Sequence, residues 1–124
     1  MEAQSEKKLL ILVDDNPANL RIGKNVLSGM YTVATAPSAT KLLSLLKNNR
    51  PELILLDIDM PEMDGYEAIE ALKARPETKD IPVIFLTAMS DSENQGKGRA
   101  LGAVDYITKP FDPPTLIACI EKYI

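Results

Sequence analysis

Apolar and polar positions follow one another along this chain in two rhythms. Short apolar runs occupy residues 9–13, 31–35, 53–56, 83–86 and 104–107, and three of the five are apolar without interruption. Continuous runs of that length fit strands covered by helices on both faces, not strands with one wet side. Between the runs the spacing becomes helical. Ala39, Leu42, Leu43 and Leu46 fall at i, i+3, i+4 and i+7 behind Ser38, and Ala68, Ile69 and Leu72 continue the rule from Gly65. Asn16 is placed to cap a helix that starts at Pro17 and ends near Gly29. Asp112 does the same for a last helix carrying Pro113, Leu116, Ile117, Ile120 and Ile124. The stretch 90–101 holds Gly96 and Gly98, each costing a helix about 1 kcal/mol against Ala, so a short, mobile helix is expected there. Residues 1–7 are polar and expected to be flexible, which leaves 8–124 as one domain.

Strict alternation of strand and helix with short connections predicts a single doubly wound α/β domain, a five-stranded parallel sheet with helices on both faces. Its 124 residues, 45% apolar and 26% charged, are ordinary for one globular domain. No apolar run approaches the roughly 18 residues of a membrane span, and no basic-then-apolar leader opens the chain, so a soluble, cytoplasmic protein is expected. A net charge of −4 carries no nucleic-acid footprint.

The absence of histidine changes the picture most. It removes Ser-His-Asp and Cys-His nucleophile systems, His-ligated zinc and any role as a phosphohistidine donor. The single cysteine, Cys119, can form no internal disulfide and lies on the apolar stripe of the last helix, where an inert core thiol is expected. Chemistry must therefore run on carboxylates, lysine, threonine and backbone.

The residues that close the apolar runs supply those groups. The first run ends in Asp14-Asp15, the third in Asp57, the fourth in Thr87 and the fifth in Thr108-Lys109-Pro110. In a parallel sheet these ends share one edge, where open α/β folds bind ligands, and the helix starts beside them favour an anion. Three carboxylates close together repel unless a cation offsets them. A divalent ion plus Lys109 does so, and an all-oxygen donor set selects Mg²⁺ over zinc. A carboxylate beside Mg²⁺ and a lysine is arranged to attack phosphorus, with a threonine hydroxyl to support the incoming oxygens. Singly, each residue has an ordinary reading: acidic caps, a surface lysine, a strand threonine, a packing Tyr106. Those readings do not explain why all of them fall on one edge.

With these residues in place, the chain closely resembles the receiver domain of bacterial two-component response regulators, with the flavodoxin/CheY-like fold. The matching stretches are LLILVDDN at 9–16, LLDIDMP at 55–61, MDG at 63–65, LTA at 86–88 and GAVDYITKPF at 102–111. The resemblance implies the sheet order 2-1-3-4-5. It implies that Asp57 takes a phosphoryl group from the phosphohistidine of a sensor histidine kinase or a histidine phosphotransfer protein, assisted by Thr87 and Lys109. Mg²⁺ would be held at Asp57, directly by Asp15, through water by Asp14 and by the backbone carbonyl of Asp59. The Asp59 side chain lies where family members vary and would tune the phosphate's lifetime. Thr87 and Tyr106 would form the switch, and the Lys109-Pro110 bond would be cis. Such a domain is a signalling phosphoacceptor, not an enzyme acting on other molecules. It passes its signal to an output domain or target protein, or through a phosphorylation-dependent homodimer on the 90–124 face. Direct binding of nucleic acid or membrane is not implied, and both a free-standing protein and a domain of a larger regulator stay open.

Other classes fit less well. A haloacid-dehalogenase-type phosphatase shares the Asp57-x-Asp59 pattern, but there the acidic pair follows the lysine instead of opening the chain. A flavin-binding module of the flavodoxin type would have to hold a phosphate where Asp14-Asp15 repel one. The glycines at 96, 98 and 102 miss G-x-G-x-x-G by one place, and Pro61 occupies a ligand position of a Ca²⁺ loop.

Overall fold

Hydrogen bonding joins five strands into one parallel sheet: β1 (Leu9–Val13), β2 (Thr32–Ala36), β3 (Leu53–Asp57), β4 (Val83–Thr87) and β5 (Asp105–Thr108), in the order β2-β1-β3-β4-β5. Between and after them run α1 (Pro17–Leu27), α2 (Ala39–Leu45), α3 (Gly65–Lys73), α4 (Ser92–Leu101) and α5 (Pro113–Glu121). This computed structural model describes residues 7–88, 92–110 and 112–124. The expected flexible start (residues 1–6 of it), the first two residues of the 90–101 segment and Phe111 of the matching stretch therefore lie outside the described residues.

Period-two alternation sorts the strand side chains into two cores. Ile11, Val13, Ile54, Leu56, Val83 and Phe85 pack beneath α2, α3 and α4, whereas Leu10, Leu12, Leu53, Leu55, Ile84 and Leu86 pack beneath α1 and α5. The two faces use different helix partners, Ala39, Leu42, Ile69 and Leu72 on one side and Leu27, Leu116 and Ile120 on the other.

The caps form where the sequence places them. The Asn16 side chain accepts from Ala18 N at 2.8 Å, Ser38 from Lys41 N at 3.1 Å and Asp112 from Thr115 N at 3.2 Å. Asp64 and Glu67 add a reciprocal capping box at the start of α3. Apart from β1, which matches its apolar run, strand limits differ from the runs by one residue. Tyr31 closes the turn after α1 by donating its N–H to Leu27 O at 2.9 Å, so β2 begins at Thr32. The ladder continues past the last apolar residue of β3 and β4 through the Asp57–Leu86 and Thr87–Thr108 pairs. Two site residues are thus part of the sheet itself. At the end of α4, Gly102 takes a φ of +116°, and the Ala103 N–H reaches Gly98 O at 3.0 Å.

Candidate functional site

Four of the five strands, β1, β3, β4 and β5, deliver polar site groups at the carboxyl edge. Directly after β1, Asp14 keeps the ladder going by donating its N–H to Ala36 O at 3.1 Å, and its side chain is wholly buried. Asp57, the last residue of β3, is 1% exposed, as is Thr87 at the end of β4, while Asp15 faces solvent. Lys109 follows β5 and donates its backbone N–H to Thr87 O at 2.8 Å. The cis Lys109-Pro110 bond lies in that turn.

The lysine joins the buried acids. Lys109 Nζ lies 3.1 Å from Asp14 Oδ2 and 3.0 Å from Asp57 Oδ1. Asp14 has further partners, Oδ1 accepting from Asn16 N at 2.9 Å and Oδ2 from Asn19 Nδ2 at 3.2 Å. Asp57 Oδ1 also accepts from Asp59 N at 3.3 Å, but its buried Oδ2 has no hydrogen-bond partner among the described residues. A buried carboxylate oxygen left in that condition is costly.

Electrostatics report the same tension. Burial pushes the Asp57 carboxyl up to about 6, against the hydrogen bond from Lys109, and the charge of Asp14 adds to the rise. Burial alone would lower the Lys109 ammonium, but its hydrogen bonds to Asp57 and Asp14 hold it above the ordinary value. Among the described residues one cation, Lys109, faces three carboxylates, since Asp14, Asp15 and Asp57 offer oxygens that lie within 4.8 Å of one another. A divalent ion of oxygen preference fits this set in charge, donor type and an oxygen still to be satisfied.

A pH dependence results for the metal-free protein. A carboxyl whose folded pKa is raised binds its proton more tightly when folded, so stability is highest below the unfolded value near 4. It falls as pH rises toward about 6. Urea unfolding between pH 4 and 7 should show this decline in the wild type and a flatter profile in Asp57→Asn. Equal slopes would contradict it.

Asp14, Asp15, Asp57 and Lys109 are thus brought together. Thr87 stands at the same edge, paired in register with Thr108. The exposed Asp59 contributes its backbone N–H to Asp57. Tyr106 lies apart, partly buried beneath α4, with its ring 5.6 Å from that of Phe85. Sequence reasoning misses Asn19, because an amide on a helix surface carries no signal until the fold sets it beside Asp14. Cys119 is buried, donates to Asp105 Oδ2 at 3.5 Å and is pushed up to about 11 by burial and by that carboxylate, which fits an inert thiol.

Residues 10–121 match the family described as response regulator receiver domain. A probable cyclic di-GMP phosphodiesterase of Vibrio cholerae is 42% identical over 124 residues, all of this chain but 28% of that protein. The chain thus spans less than a third of that relative's length. Among solved structures, the chemotaxis protein CheY4 of Vibrio cholerae superposes with a TM-score of 0.91 at 28% identity, covering 95% of this chain and 99% of that one. The receiver domain of the sensor histidine kinase PA1611 of Pseudomonas aeruginosa, solved with a magnesium ion coordinated in its active-site cleft, gives 0.86 at 26% identity, covering 94% and 97%.

Proposed function

The chain belongs to the response regulator receiver domain family of two-component systems, and from that premise we propose that Asp57 accepts a phosphoryl group from a phosphohistidine. The observation that carries this reading is the Asp57 carboxylate itself, with one oxygen held by Lys109 and the other buried and unpartnered among the described residues. Its Oδ2 attacks phosphorus as the P–N bond to the donor imidazole breaks, leaving an aspartyl phosphate. The Lys109 ammonium, already between Asp14 and Asp57, follows the charge onto the phosphoryl oxygens. The Thr87 hydroxyl donates to another of them.

Asp14, Asp15 and Asp57, with the backbone carbonyl of Asp59, would hold Mg²⁺. That ion supplies neutralisation of the phosphoryl charge when bound. Asp14 already accepts from Asn16, Asn19 and Lys109, so the exposed Asp15 is the freer ligand. The donor is a sensor histidine kinase or a histidine phosphotransfer protein. The modified site signals through Thr87, Tyr106 and the surface of α4, β5 and α5 to an output domain, a target protein or a second copy of the chain.

Incubation with acetyl phosphate and Mg²⁺ should add one acid-stable, hydroxylamine-labile phosphoryl group by mass spectrometry. A chelator should suppress it, and Asp15→Ala should remove the Mg²⁺ stimulation. Labelling indifferent to Mg²⁺ in the wild type would overturn the reading.

A further inference from the structure

Gly98 is buried in α4, and a side chain there has nowhere to go. An ideal Cβ would stand 1.8 Å from the hydroxyl oxygen of Tyr106 and 2.7 and 2.8 Å from two ring carbons of Phe85. Gly96, in the same helix, has no such neighbour within 4 Å. The restriction is therefore local to the place where Tyr106, rising from β5, passes under α4.

Three rings meet there. Tyr66 of α3 packs edge-on against Phe85 with centroids 5.5 Å apart, and Phe85 packs on Tyr106 at 5.6 Å. Lys97, the neighbour of Gly98, lies 4.3 Å over the Tyr66 ring. The row of rings thus runs from α3 through β4 to β5 and ends in a hydroxyl that occupies the space of the missing side chain.

We propose that Gly98 is a positioning residue for Tyr106: the bare backbone of α4 at this point seats the tyrosine hydroxyl and holds the ring inward before any phosphoryl group arrives. A methyl group at residue 98 forces one of two movements. Either α4 lifts, carrying Lys97 off Tyr66, or Tyr106 leaves its place under the helix and the Phe85 ring turns aside with it. Both are open to a helix whose sequence is polar around Gly98 and Leu101. The functional consequence rests on the reading of Tyr106 as a switch residue; the seating itself does not. If the inward ring belongs to the conformer that binds a phosphoryl group, the apparent affinity of the acceptor site scales with the inward fraction.

The two glycines make a matched experiment, because Ala at either raises helix propensity by roughly fivefold. Gly96→Ala should raise the melting midpoint by about 4 °C, and Gly98→Ala should fall below it. With 3-fluorotyrosine incorporated, the chain has four fluorine signals, from Tyr31, Tyr66, Tyr106 and Tyr123. The Tyr106 signal is identified by its loss in Tyr106→Phe. It should shift toward the solvent-exposed position in Gly98→Ala and stay in place in Gly96→Ala. Beryllofluoride with Mg²⁺, a mimic of the bound phosphoryl group, should bind Gly98→Ala about tenfold more weakly and Gly96→Ala unchanged. A Tyr106 signal that does not move in Gly98→Ala overturns the seating. A displaced signal with unchanged beryllofluoride affinity refutes its role in the switch and leaves acceptor chemistry at Asp57 untouched. Should Gly98→Ala not fold, adding Tyr106→Leu together with Phe85→Leu, which clears both contacts, should restore folding, and failure to restore it counts against the proposal.

Discussion

Asp57→Asn should lower phosphoryl incorporation from acetyl phosphate by on the order of 10³ or more, because it removes the nucleophile while keeping its shape. Other carboxylates cannot easily substitute. Asp14 is buried and held by Asn16, Asn19 and Lys109. Asp15 and Asp59 are solvated and lack the lysine contact that gathers charge on the acceptor. Intact-mass measurement with and without hydroxylamine reads the result directly. An Asn variant labelled as well as the wild type would move the acceptor elsewhere.

The second large effect belongs to Lys109→Ala. Its ammonium is the one charge shown bridging Asp14 and Asp57 among the described residues, and both carboxylates are almost completely buried. Removing one partner of a buried ion pair costs about 3–5 kcal/mol, so the metal-free melting midpoint at neutral pH should drop by about 10–15 °C. Added Mg²⁺ or a lower pH should recover part of it, since each offsets the negative charge now unopposed. Some labelling of Asp57 should persist. Hydrogen-exchange changes on phosphorylation, expected mainly in residues 92–108 and not in α1 or α2, should disappear with the lysine's hold on the phosphate. A variant that melts like the wild type, or that still shows those exchange changes, would argue that Lys109 is neither the counter-ion nor the coupling.

Much of this site is legible in the sequence because its residues sit at strand ends, and strands announce themselves by uninterrupted apolar runs. Once Val13, Leu56 and Leu86 are recognised as the ends of such runs, parallel topology brings their successors together with no further information. The order β2-β1-β3-β4-β5 rests on the family resemblance, since alternation alone permits several orders. Burial of individual acids is not legible. Asp14 and Asp15 are adjacent and chemically identical, and only the sheet pairing to Ala36 turns one inward and leaves the other in water. Gly98 shows a second limit. In the sequence it reads as a weak point of a helix, whereas its place is fixed by a tyrosine eight positions later that reaches it through the fold. The hub around Asp105, which accepts from Tyr123 Oη at 2.9 Å and from Cys119, is hidden for the same reason.

Gly65 opens α3 so close to the acceptor strand that a Cβ on it would lie 2.7 Å from both Asp57 O and Ile58 Cα, and its N–H donates to Ile58 O at 2.8 Å. The connection from Asp57 to α3 is therefore closed on itself and has no slack in length. Insertions or deletions between residues 58 and 65 should not be tolerated, whatever residues they contain. The opposite end of the sheet obeys a looser rule. There the exposed residues 47–50 join α2 to β3 beside an open cavity of about 300 Å³, far from the acidic cluster. New chain termini or a grafted reporter domain belong at Asn48-Asn49, where the connection can lengthen without disturbing the acceptor.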